Sequence, residues 1–141
     1  MNRIVLDTNV LVSALLANGP PAVIADMVAE GKLIPFYNDQ IISEYWDVLH
    51  RQKFGFHSSQ VVRLIDAIAR TGIAVETEEP RRGKYGVIPM PDEDDRKFYY
   101  AAKASRAFLI TGNKKHFPDE PFIISPADFL KTYQQEIALS N

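Results

Sequence analysis

Arg3-Ile4-Val5-Leu6-Asp7-Thr8-Asn9-Val10-Leu11 is an apolar run that ends in a carboxylate followed by two small polar residues. A continuous apolar run of this kind suits a strand buried on both faces. Beyond it, Leu11, Ala14 and Leu15 follow helical spacing, so Asp7 is expected at the carboxyl end of a first strand, just before a helix. Two readings of Asp7 are open at this point: a turn residue that caps the helix, or a ligand.

Working outward, Pro20-Pro21 breaks the first helix and starts a second, in which Ile24, Met27 and Val28 share a face until Gly31. Leu33 to Tyr37 reads as a second strand. From Asn38 or Asp39, either a suitable N-cap, a helix is expected to about Arg51, with Ile42, Tyr45, Trp46 and Leu49 facing inward and Glu44 on the border of that face. Ser58-Ser59 opens a helix burying Val61, Leu64, Ile65 and Ile68 and stopping at Gly72, and Ile73-Ala74-Val75 forms a third strand. Glu76 to Pro91 has no periodicity. Its Arg81, Arg82, Lys84 and Tyr85 make a basic and aromatic cluster, in a loop long enough to suggest function. Phe98, Ala101, Ala102 and Ser105 then mark a helix, Ala107 to Ile110 a fourth strand, and Phe122 to Ile124 a fifth. Ser125-Pro126 begins the last helix as N-cap and first residue.

Strands alternate with helices throughout, and no two strands are joined by a hairpin-length turn. The expectation is one α/β domain over residues 1–141, with a mostly parallel sheet of about five strands between helical layers. In such sheets ligands bind beyond the carboxyl ends of the strands, where strand order reverses.

The composition bounds the function. With 141 residues, 46% hydrophobic and 24% charged, the chain is sized for a single layered core. Its formal net charge of −2 lacks the basic excess of proteins held to nucleic acid by phosphate neutralisation alone, but an acidic metal site can offset local basic patches. The absence of cysteine excludes disulfides, thiolate zinc sites and cysteine nucleophiles. No apolar run approaches the roughly 20 residues of a membrane span, and Val10 to Ala17 makes a poor leader, so the chain is expected in the cytoplasm without a membrane partner. There is no Gly-x-Gly-x-x-Gly after the first strand. Thr111-Gly112-Asn113-Lys114-Lys115 lacks the spacing of a P-loop. His50, His57 and His116 have no zinc-helix spacing.

What remains is acidic. Asp92-Glu93-Asp94-Asp95 begins the fifth helix, where the dipole favours acids by ~0.3–1 kcal/mol. That is a reason for one or two acids but a weak reason for four. Two like charges ~4 Å apart in a partly enclosed cleft cost about 4 kcal/mol at an effective dielectric near 20. A divalent cation reverses the sign of that term, and carboxylate oxygens are the donors that Mg²⁺ or Mn²⁺ prefers. Lys114-Lys115-His116, after the fourth strand, is placed for phosphate contact.

Several segments, in order, resemble the PIN-domain family, metal-dependent ribonucleases that include the toxins of many bacterial toxin–antitoxin pairs. They are Val5 to Leu15, Ile42 to Leu49 with Arg51 and Lys53-Phe54 beyond, Asp92 to Phe98, and Leu109 to Phe117. The resemblance implies a PIN-like three-layer fold in which Asp7, Glu44 and Asp95 are catalytic, metal-binding acids and Asp92 an auxiliary. Thr8, Asn9, Ser13 and Thr111 resemble polar residues that support the acids or meet phosphate. The family's fourth segment often carries an Asp where this chain has Asn113, which ligates only through a neutral carbonyl, so weaker metal binding is expected.

The resemblance thus implies a Mg²⁺- or Mn²⁺-dependent ribonuclease, an RNA substrate, a small antitoxin partner and a homodimer. Two alternatives accompany it. One is a degenerate PIN domain that binds RNA or a protein without cutting. The other is a phosphatase with Asp7 as nucleophile, which such enzymes usually accompany with a second Asp where this chain has Asn9.

Overall fold

The computed structural model describes residues 1–76 and 92–140. Among them are five strands, β1 (Arg3–Leu6), β2 (Ile34–Tyr37), β3 (Ile73–Ala74), β4 (Phe108–Ile110) and β5 (Ile123–Ile124). Six helices accompany them: α1 (Thr8–Leu16), α2 (Pro20–Ala29), α3 (Asp39–Leu49), α4 (Ser58–Thr71), α5 (Arg96–Ser105) and α6 (Pro126–Ser140). All strand pairs are parallel, in the order β3-β2-β1-β4-β5. The basic and aromatic cluster expected at Arg81, Arg82, Lys84 and Tyr85 lies outside the described residues.

This is a three-layer α/β fold with β1 at its centre, and burial explains why. Ile4, Val5 and Leu6 are almost fully buried because β1 has a strand on each side and helices over its faces. Helix α5 packs on β1, β2 and β4, while α2 meets α1, α4 and α6. The register pairs Ile4 with Phe108 and Leu6 with Ile110, so β1 and β4 end level with each other. From β1 the chain winds toward β2, and from β4 toward β5. The order therefore reverses between β1 and β4, which is where a ligand crevice opens in sheets of this kind.

Two expectations are corrected. The third strand is two residues long at an exposed sheet edge, although Val75 N–H still donates to the Tyr37 carbonyl at 2.8 Å. Helix α3 is rotated relative to its expected face. Ile41, Tyr45 and Leu49 are buried, whereas Trp46 is 50% exposed and rests on the His50 ring with centroids 4.3 Å apart. The helix is packed by α1, α4 and α5 together, so its buried stripe centres on Tyr45. Glu44 meets Thr8 at the start of α1.

Gly72 ends α4 with an extended backbone, and no side chain fits there. A Cβ there would lie 2.2 Å from the Pro35 carbonyl oxygen of β2 and 2.6 Å from that of Ile68.

Candidate active site at the end of the central strands

Asp7 sits one residue past β1, where its N–H donates to the Ile110 carbonyl of β4 at 3.0 Å. It occupies the N-cap position of α1, yet its side chain makes no capping hydrogen bond. Instead Oδ2 accepts the hydroxyl of Thr111, the residue that follows β4, at 2.8 Å. The carboxylate is 6% exposed and is held from the neighbouring strand, while the N–H groups at the start of α1 add a weaker pull on it, so helix end and strand end both act on Asp7.

Glu44 comes from α3. Its Oε2 accepts the hydroxyl of Thr8, and its Oε1 pairs with the ammonium of Lys97 at 2.8 Å. Tyr45, next in sequence, donates its hydroxyl to the Leu6 carbonyl, tying α3 to the last residue of β1. Burial, with the charges of Asp7 and Glu44, pushes the Tyr45 phenol well above its ordinary value, so it remains a donor.

The acidic run before α5 divides by role. Asp92 Oδ1 accepts the Asp94 N–H at 2.9 Å, an ordinary cap of the short 3-10 turn Glu93–Asp95. Glu93 is bound by both Nε and Nη2 of Arg96 at 2.7 Å. Asp94 is exposed. Asp95 alone turns inward: its side chain is 16% exposed, and its buried Oδ2 has no hydrogen-bond partner, with His116 Nδ1 3.5 Å away.

These acids act on one another. Burial pushes the Asp95 carboxyl up to about 6, reinforced by the charges of Asp7, Asp92 and Glu44 and opposed by His116. Asp7 is raised chiefly by burial. The Thr111 hydroxyl and the N–H groups of Thr8 and Asn9 favour its ionised form, and the charge of Glu44 opposes it. A carboxyl with a raised folded value stabilises the fold below its ordinary 3.8, and that stabilisation is lost as pH rises through about 6. The metal-free chain is therefore expected to lose thermal stability between about pH 4 and pH 6, with Asp7 contributing in the same direction. Asp95→Asn is expected to flatten that slope and raise the melting temperature at pH 7.5. Melting curves of both proteins across this range check it, and an unchanged slope in the variant counts against the coupling.

The remaining polar residues separate into two groups. Thr8 and Thr111 are buried and orient acids. Asn9, Ser13, Gly112 and Asn113 line a cavity of about 220 Å³ together with Pro21 and Pro126, and Asn9 Oδ1 accepts the Gly112 N–H at 3.4 Å. Lys114 and Lys115 are exposed on the 3-10 turn that follows. Sequence reasoning missed Lys97 and the anchoring role of Tyr45. A buried tyrosine hydroxyl needs a partner, which was a usable signal for the second.

The donors present are carboxylates, hydroxyls and amide oxygens, the chemistry of a hard divalent ion. The buried Asp95 Oδ2, which lacks a hydrogen-bond partner, fits such a ligand. Among the described residues no three acidic or histidine side chains converge closely enough to hold an ion, and Glu44 is held by Lys97 and Thr8.

An uncharacterized protein of Methanocaldococcus jannaschii is 29% identical over 116 residues, covering 79% of this chain and 71% of that protein. No solved structure matches significantly. The PIN domain family model matches residues 3–115, a span holding all the acids described above. PIN domains are typically nucleases and usually use divalent metals. With that match, and a parallel sheet that carries Asp7 at its switch point, the chain belongs to the PIN-domain family.

Proposed function

We propose that this chain is a Mg²⁺- or Mn²⁺-dependent ribonuclease. The observation that carries the reading is Asp7: buried at the switch point, held by Thr111 from the neighbouring strand, and acted on by the charges of Glu44 on α3 and Asp95 in the turn before α5. Asp7, Glu44 and Asp95 would hold the ion, with Asp92 and Asn113 at its margin. When bound, the ion supplies a polarised water and positive charge for the phosphate.

The chain's own residues do the rest. Thr111 and Thr8 fix the acids, so little reorganisation is left for the reaction. Lys114 and Lys115 stand exposed beside the crevice, where they can meet the phosphates flanking the scissile bond. Asn9, Ser13 and Asn113 offer hydroxyl and amide groups to the RNA backbone.

In the biological setting implied by the resemblance, the protein is the toxin of a toxin–antitoxin pair, acting in the cytoplasm as a homodimer. A second reading, a PIN domain that binds RNA without cutting, is favoured by one observation: Glu44 is already engaged by Lys97. End-labelled RNA incubated with the purified chain separates the two. Cleavage with Mn²⁺ that leaves 5′-phosphate and 3′-hydroxyl ends and stops in EDTA supports the enzyme. Retention of RNA without cleavage supports the binder, and undiminished cutting in EDTA excludes metal chemistry.

A further inference from the structure

A lysine ammonium ordinarily stays in water while its stem lies along the surface. Lys97 does the reverse. Its side chain is 14% exposed, and its ammonium lies 2.8 Å from Glu44 Oε1 and also donates to the Asp94 carbonyl. It enters the cluster from the first turn of α5, two residues past Asp95. Both oxygens of Glu44 thereby carry a partner, Oε1 on Lys97 and Oε2 on Thr8.

We propose that Lys97 is a positioning residue for Glu44, an internal counter-ion that competes with a divalent cation for this carboxylate. The proposal rests on the metal-dependent reading above. An ammonium and a divalent ion on one carboxylate repel each other, so each weakens the hold of the other and arrival of the ion favours departure of the ammonium. Space for the exchange exists. Lys97 lines a cavity of about 450 Å³ with Asn38, Gln40 and Tyr100, and an open cleft of about 630 Å³ with Ser43 and Asp47. Asp39 lines both cavities and offers the displaced ammonium another carboxylate. Lys97 thus holds Glu44 in place in the metal-free chain, and it weakens the grip of the site on the ion by the energy of the pair it must give up.

The test is Mn²⁺ titration, by calorimetry or by the electron paramagnetic resonance signal of free Mn²⁺, with melting curves in parallel. Lys97→Met, or Lys97→Gln should the first fail to fold, is expected to bind Mn²⁺ about tenfold tighter or more, because one positive charge has left the cluster. It is expected to melt lower than the parent without metal and to gain more on adding it. Lys97→Arg keeps the charge and is expected to retain parental affinity. Unchanged or weaker binding in the neutral variants, or an arginine variant that behaves like them, overturns the proposal and leaves the metal reading standing. No Mn²⁺ binding by either the folded parent or the folded neutral variant removes the metal reading and the proposal together.

Discussion

Asp7→Asn is expected to lower RNA cleavage by about 10³-fold, the loss that corresponds to several kcal/mol of transition-state stabilisation by a bound ion. The fold is expected to survive, and the physical reason is specific to the site. Asparagine has nearly the shape of aspartate, its carboxamide oxygen can accept the Thr111 hydroxyl that now reaches Oδ2, and a neutral group relieves the burial and the repulsion from Glu44 that raise the Asp7 carboxyl. The melting temperature in the absence of metal is accordingly expected to be unchanged or higher. Rate measurements on end-labelled RNA with parallel melting curves check both parts. A variant that cuts like the parent would remove Asp7 from the chemistry, and one that unfolds would show that the carboxylate is structural.

Gly72→Ala is expected to produce the largest loss of stability. The added Cβ would stand 2.2 Å from the Pro35 carbonyl oxygen, 2.6 Å from the Ile68 carbonyl oxygen and 2.9 Å from Pro35 Cγ. The two closest atoms are backbone, belonging to β2 and to the last turn of α4, and cannot rotate aside as a side-chain end would. Ordinary overpacking costs about 1–3 kcal/mol, and a clash with fixed backbone belongs at or above the top of that range. For a domain of this size that corresponds to a fall in melting temperature of about 10 °C. Denaturant unfolding measures the loss directly. A variant as stable as the parent would mean that the junction of α4 and β2 has slack that the packing does not reveal.

Much of this fold was legible in the residues because it follows from local periodicity. The Ile4-Val5-Leu6 run, the helix breaks at Pro20-Pro21 and Gly31, and the alternation of apolar runs with helical spacing all led to a parallel sheet with Asp7 at a strand end. Helix α3 was harder. Ile41 and Ile42 flank the same position on the helical wheel, and Trp46 is as apolar as anything buried, so periodicity alone could not set the rotation that leaves Trp46 outside and brings Glu44 to Thr8.

The acids of the site were legible from their positions and from family resemblance, but their division of labour was not. Nothing in Asp92-Glu93-Asp94-Asp95 says that the first caps, the second pairs with Arg96 and only the last turns inward. That is decided by a 3-10 turn three residues long. The pairing of Lys97 with Glu44 joins two helices separated by some fifty residues in sequence and leaves no spacing signature. The Thr111 to Asp7 bond is equally remote in sequence, and it follows only once β1 and β4 are known to end side by side.

Anomalous diffraction from a crystal soaked in Mn²⁺ decides whether the carboxylates beyond β1 form a metal centre. A peak is expected within coordinating reach of the Asp7 and Asp95 carboxylates, with Glu44 released from Lys97 to join them. A Mn²⁺ peak elsewhere on the chain, with the Lys97 pair intact and these acids unliganded at saturating metal, would contradict it.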